Sequence, residues 1–229
     1  MAKEIERKFL VTDYSWKALP AQKRTLLEQG YFPASLLGQC RLYIIISPDS
    51  DKAHITIDGA DQHCTIEVTI DKDNDFASII NLPCYNKRTG ELTLGDIASS
   101  EARIRTSENL DTDEITAKFT IKQRGLGDSS DEFEISVPYS FAEHVFKTII
   151  IDTVKKERTA IDYHGFMWEV DSYLDKNQGL VTADVEVAHE SDFDTLKKLP
   201  GAAYVVSKEP SLRNRNLIHT AAPEQFKIK

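Results

Sequence analysis

Charged residues stand at every second position along several short stretches of this 229-residue chain, and they are sorted by sign. In Glu4-Ile5-Glu6-Arg7-Lys8-Phe9, an extended backbone puts Glu4, Glu6 and Lys8 on one face and Ile5 and Phe9 on the other, because side chains two apart on a strand point the same way. The pattern recurs. Arg103 and Arg105 form a basic pair, Lys118 and Lys122 share a face opposite Phe119 and Ile121, and Glu132 and Glu134 alternate with Phe133 and Ile135. Lys156 and Arg158 make a second basic pair, Glu169 and Asp171 alternate with Trp168 and Val170, and Asp184 and Glu186 alternate with Val185 and Val187. One such pair is what the solvent face of a half-buried sheet looks like. A solvent face has no reason to gather acids with acids and bases with bases, since like charges two residues apart repel. On converging strands, the acids would be relieved by divalent cations and the bases by a polyanionic phosphate. The pattern predicts an α+β, mainly β fold, an antiparallel barrel or strongly curved sheet with a charged inside and an apolar, covered outside.

Alternation places strands at 5–10, 115–122, 132–137, 166–173 and 182–187. Helices are few. Ser140-Phe141-Ala142-Glu143 has the form of a capping box, and Val145, Phe146, Ile149 and Ile150 continue with the helical period, which predicts a helix over about 140–148. A second helix is expected from a Ser191 cap over 192–197, and a short amphipathic one near 212–218. The stretch 39–100 differs from its surroundings: it is acidic, it holds Cys40, Cys64 and Cys84, and its strands (41–46, 54–57, 65–70) are separated by Asp-rich turns. The run Asp71, Asp73, Asp75 lacks the downstream Gly and Glu of an EF-hand loop and reads as a solvated turn. Three cysteines with no Cys-x-x-Cys pair read as reduced thiols rather than a disulfide or zinc framework. The six histidines match no triad or metal-ligand spacing.

Composition narrows the partners. With 28 Lys+Arg against 37 Asp+Glu the formal net charge is −9, which argues against broad binding to nucleic acid or to an anionic membrane. No apolar run approaches the roughly 20 residues that span a bilayer, and charge stands where a signal peptide would be apolar. The expected setting is the cytoplasm, with no membrane contact.

The opening Glu4-Ile5-Glu6-Arg7-Lys8-Phe9-Leu10-Val11 resembles the E-x-E-x-K signature of the CYTH superfamily, the triphosphate tunnel metalloenzymes, which include inorganic triphosphatases, thiamine triphosphatases and class IV adenylate cyclases. Further motifs follow in family order: Gln29-Gly30-Tyr31, Arg103-Ile104-Arg105, Phe119-Thr120-Ile121-Lys122, Asp131-Glu132-Phe133-Glu134, Lys156-Glu157-Arg158, Trp168-Glu169-Val170-Asp171, Gly179-Leu180, Ala183-Asp184-Val185-Glu186-Val187, and Asn214 with Leu217. The resemblance spans nearly the whole chain and implies one CYTH domain over 1–229, an eight-stranded antiparallel barrel enclosing a triphosphate tunnel, with a few covering helices and a strand-rich insertion at 39–100. It implies Mg²⁺ or Mn²⁺. Carried over position by position, Lys8, Arg103, Arg105, Lys122, Lys156 and Arg158 would grip phosphates. Glu4, Glu6, Glu132, Glu134, Glu169, Asp171, Asp184 and Glu186 would hold metal or orient water, with Glu4, Glu6, Lys8 and Lys122 central to catalysis.

The start is most similar to the short bacterial inorganic triphosphatases, so the expected function is metal-dependent hydrolysis of a triphosphate, tripolyphosphate first. A class IV-type cyclase, a thiamine triphosphatase and a non-catalytic polyphosphate- or nucleotide-binding module are the alternatives. The chain departs from the family pattern in three places. Leu212 stands where a tyrosine is common and Asp184 where a glutamate is. About seventy residues separate Gly30 from Arg103 where short members have a brief connection. That insertion is expected to decorate the barrel rim, with a lid over a tunnel mouth or a homodimer contact as the other roles.

Overall fold

A computed structural model describes residues 2–32, 41–46, 52–59, 62–69, 85–86, 88–89, 91–93, 100–124 and 129–228. Its strands are β1 (Ala2–Val11), β2 (Lys23–Tyr31), β3 (Arg41–Ile46), β4 (Lys52–Gly59), β5 (Gln62–Thr69), β6 (Tyr85–Asn86), β7 (Glu91–Thr93), β8 (Ser100–Asn109), β9 (Ile115–Arg124), β10 (Ser129–Val137), β11 (Thr153–Tyr163), β12 (Phe166–Tyr173), β13 (Val181–Glu186) and β14 (Ala202–Val205). Eight of them pair antiparallel in the order β10-β9-β8-β2-β11-β12-β13-β1, and β1 pairs again with β10. The ring is thereby closed. β1 makes the closure by dividing its partners: Ala2 to Ile5 lie opposite β10, and Glu6 to Leu10 lie opposite β13. The expected eight-stranded antiparallel barrel is the architecture found. Strands β3 to β7 form a separate antiparallel sheet in the order β5-β4-β3-β7-β6, within the 39–100 stretch.

Strand parity decides what faces out. Phe9, Ile161, Trp168, Val170, Val181, Ala183 and Val185 are buried in one apolar cluster with Trp16, Phe193 and Leu199, which cover that side of the barrel. Phe9 and Trp168 meet at 5.3 Å between ring centroids. On another side, Ile104, Phe119 and Ile121 are buried on β8 and β9, beside α1 (Tyr139–Thr148), which buries Phe141, Ala142 and Val145. An apolar outside and a charged inside reverse the usual polarity of a soluble sheet, so each outer face needs such a cover.

The helix ends differ from expectation. Pro138, at φ −58° and ψ 142°, is the N-cap of α1, and no side chain caps it. The Pro138 carbonyl accepts the first bonds of the helix, from Phe141 N–H at 3.0 Å and Ala142 N–H at 3.3 Å, which leaves Ser140 in its first turn rather than at a cap. The stretch expected to start at Ser191 is a 3₁₀ turn, Glu190–Asp194. Its N-cap is His189, whose backbone N–H donates to Asp192 at 2.9 Å as in a capping box, so the turn starts ahead of the serine that was expected to cap it. The 212–218 region is two short pieces, a 3₁₀ turn Pro210–Leu212 and one α turn, α2 (Asn214–Leu217). Cys40, Cys84 and the run Asp71, Asp73, Asp75 lie outside the described residues.

Gly30 shows why a glycine stands between Gln29 and Tyr31. A Cβ there would lie 2.4 Å from Ile150 Cγ2 and 3.2 Å from Phe146 Cε1, so the close approach of this segment to β2 requires a bare backbone. Ile150 is β-branched and cannot swing its methyl away cheaply. Gly30→Ala should lower unfolding stability by about 1–3 kcal/mol, read by urea denaturation. Ile150→Ala in the same chain should recover part of the loss.

Candidate functional site

The ring order sorts the inward-facing charges into two arcs. Starting at β12 and passing through β13 and β1 to β10, the strands bring Glu169, Asp171, Asp184, Glu186, Glu6 and Glu134. Continuing through β9, β8, β2 and β11, they bring Lys122, Lys118, Arg103, Arg105, Lys156 and Arg158, with neutral Gln29 and Tyr31 on β2. Among the described residues, Lys8 within the acidic arc and Glu101 and Asp162 within the basic one are exceptions. Glu4 and Glu132 are fixed by register alone, Glu4 opposite Ser130 and Glu132 opposite both Ala2 and Lys122; their side chains are outside the described ones.

Where the arcs meet, opposite charges pair. At the β11–β12 seam Asp171 is fully buried and accepts from Arg158 Nε at 2.7 Å, from Arg158 Nη2 at 2.9 Å and from Lys156 Nζ. Arg158 Nη1 also reaches Glu169. Burial works to raise the Asp171 carboxyl, but Arg158 and Lys156 outweigh it and hold the group well below the usual carboxylate range. Lys156 is 2% exposed, and burial pushes its ammonium down to about 8 against the pull of Asp171. At the β9–β10 seam Glu134 accepts from Arg105 Nη2 at 3.0 Å, from Thr120 Oγ1 at 3.1 Å and from Lys118 Nζ, with Arg103 Nη2 at 3.8 Å. Burial opposes ionisation of Glu134 and is overcome by Arg105 and Lys118, leaving its pKa lowered.

Two pairs involve the acidic arc itself. Lys8 Nζ donates to Asp184 Oδ2 at 2.6 Å, and Lys122 Nζ lies 3.4 Å from Glu6 Oε1. Burial raises the Asp184 carboxyl, Lys8 lowers it, and the neighbouring Asp171 and Glu6 raise it again, for a net upward shift. Among the described residues its buried Oδ1 atom has no hydrogen-bond partner.

One end of the lumen is apolar. Leu10, Tyr31, Val154 and Tyr173 share strand parity with Lys8, Gln29, Lys156 and Asp171, and they bury against Leu212, Leu217, Ile218 and Ala222. The C-terminal turns are strapped there. Tyr173 Oη donates to Asn214 Oδ1 at 2.7 Å, and buried Asn177 donates through Nδ2 to Leu217 O at 3.1 Å and accepts from Ala222 N at 2.9 Å. Leu212, which stands where the family commonly has tyrosine, is fully buried in this plug.

The metal implied by the resemblance can be tested against these groups. Among the described residues no three His, Cys, Asp or Glu side chains converge as a ready-made ligand set. The unpartnered, buried Asp184 Oδ1 beside Glu6 is nevertheless an oxygen donor in an acid-rich place, the chemistry that a hard divalent cation takes. The residues fit.

No family model matches the chain. It is 32% identical over 100 residues to an inorganic triphosphatase of Acetivibrio thermocellus, a match over 43% of this chain and 63% of that one. The chain thus spans less than two thirds of the length of this relative. The resemblance to the CYTH superfamily holds. A crystal structure of an inorganic triphosphatase aligns over 97% of this chain and 99% of its own, with TM-score 0.49 and 18% identity. A putative adenylyl cyclase from Hippeastrum, described as having a dominant triphosphatase activity, aligns over 84% and 83% with TM-score 0.44 and 13% identity. At these values neither likeness bears on activity.

Of the residues that the family resemblance singles out, Glu6, Lys8, Arg103, Arg105, Lys122, Glu134, Lys156, Arg158, Glu169, Asp171 and Asp184 meet in these ion pairs, while Glu186 is placed by register opposite Glu6. The structure adds Lys118, Thr120, Gln29 and Tyr31 to the same lumen. Lys118 had a signal in the sequence, the same parity as Lys122, but it stands outside the family motifs. Asp171 is the pivot of the β11–β12 seam, so Asp171→Ala should lower the free energy of unfolding by about 3–5 kcal/mol, because buried Lys156 would lose its counter-charge and Arg158 would keep only Glu169 and the more distant Asp184. Guanidinium denaturation of the two proteins checks it.

Proposed function

We propose that this chain is a metal-dependent triphosphatase that hydrolyses a linear triphosphate, tripolyphosphate first, inside the barrel. The observation that carries the reading is the sorting of the lumen into a basic arc and an acidic arc by strand order. A linear polyanion laid along the barrel has its phosphate oxygens met by Lys8, Arg103, Arg105, Lys122, Lys156 and Arg158. The acidic arc faces it from the other side. In this reading Glu4, Glu6, Asp184 and Glu186, on the adjacent strands β1 and β13, would hold Mg²⁺ or Mn²⁺. The cation would neutralise charge that develops on the phosphate oxygens.

Phosphoryl transfer asks for positioning and charge stabilisation rather than covalent chemistry from the protein. Asp171, Glu169 and Glu134 supply the positioning. Each is held by basic side chains, and each in turn fixes the guanidinium or ammonium it touches at the lumen wall. The barrel wall excludes bulk water from the buried groups, which strengthens every charge contact made there. The apolar plug at Leu10, Tyr31, Val154 and Tyr173 leaves the other end as the route for substrate. The relative named as an inorganic triphosphatase supports tripolyphosphate as the first substrate to try. The same grip would serve a thiamine triphosphatase, a cyclase or a binding module, and products distinguish them.

The pure protein, incubated with tripolyphosphate, thiamine triphosphate and ATP, each with Mg²⁺ or Mn²⁺, should release phosphate from tripolyphosphate. EDTA should abolish the release. Cyclic AMP from ATP would overturn the reading in favour of a cyclase, and binding without turnover of any of the three would leave a binding module. Lys8→Ala and Arg158→Ala should each cut turnover by about 10²–10³-fold, as for other preorganised electrostatic groups, with circular dichroism confirming that the barrel remains.

A further inference from the structure

We propose that Lys118 is a further substrate-binding residue, which takes the phosphate nearest the open mouth; this rests on the triphosphate reading above. Lys118 lies four positions before Lys122 on β9, opposite Arg105 on β8 and Ser136 on β10. Four residues of strand correspond to about 13 Å, so the two lysines mark the outer and inner parts of one cationic row, with buried Thr120 between them. Exposure follows the same direction. The Lys122 side chain is 17% exposed and that of Lys118 is 41% exposed.

Lys118 is held in place rather than left to wander. Its Nζ donates to Glu134 Oε1 while Arg105 Nη2 occupies Glu134 Oε2 at 3.0 Å. Arg103 Nη2 stands 3.8 Å from that same oxygen. Three cations therefore converge on the one carboxylate of Glu134 at this part of the wall. A long lysine pinned beside an arginine by a common acid costs little further ordering when it meets an anion. An ammonium is a point charge with three donors and needs no fixed approach geometry, which suits a terminal phosphate that enters first and leaves last. The inner cations Lys8, Lys156, Arg158 and Lys122 would meet a shorter anion without it.

The test is equilibrium binding, which does not require turnover. Titration calorimetry on the full chain in Mg²⁺ compares tripolyphosphate with pyrophosphate for the wild type, Lys118→Met and Lys118→Arg. The expected result is about tenfold weaker tripolyphosphate binding by Lys118→Met, unchanged pyrophosphate binding, and recovery by Lys118→Arg. Equal weakening for both anions would overturn the proposal, since it would mean that Lys118 only props Glu134 and its arginines. Unchanged tripolyphosphate binding would overturn it too, with the triphosphate reading intact. Absence of tripolyphosphate binding by the wild type would overturn both.

Discussion

The pairing of buried opposite charges at the seams between strands is the interaction on which the rest of the molecule depends. A barrel of this size places its inward side chains within a few ångströms of one another, and ionised groups there cannot stand alone. Asp171 resolves the problem for Lys156 and Arg158, and Glu134 resolves it for Arg105 and Lys118. The seams are thus where a charged interior becomes compatible with a folded wall. They also fix the guanidinium and ammonium groups in advance of any ligand, which is the ordering that a polyanion would otherwise have to impose on binding.

Parity made much of this legible in the sequence. The run from Phe166 to Tyr173 is a strand with the limits that alternation predicts, and its Trp168 and Val170 face the outer cluster while Glu169 and Asp171 face in. What could not be read is which strand lies beside which. Lys8 meets Asp184, and Arg158 meets Asp171 and Glu169, only because β1 adjoins β13 and β11 adjoins β12; no local pattern encodes a partner so far away along the chain. Short-range capping misled for a different reason. Ser140 and Ser191 both have the composition of a cap, but the N-caps are Pro138 and His189, both earlier in the chain.

The C-terminal turns have a part that their length conceals. Leu212, Leu217 and Ile218 supply apolar surface to the lumen residues Leu10, Tyr31, Val154 and Tyr173, which would otherwise expose an oily ring at the end of a charged channel. Buried Asn177 fastens the arrangement from both directions by donating to Leu217 O and accepting from Ala222 N. Closing that end also shields the deepest ion pairs from water and keeps their effective dielectric low.

The split pairing of β1 has a bearing on how the chain reaches its native state. The strand is completed on one side by β10 and on the other by β13, partners well over a hundred positions along the sequence. Hairpins such as β11–β12 can assemble early from neighbouring residues, but the ring stays open until its earliest strand has been joined by its latest. Such topology gives slow folding dominated by non-local contacts. Lys8 and Glu6 acquire their lumen setting only in that closing event, so a partly folded chain has hairpins but no binding site.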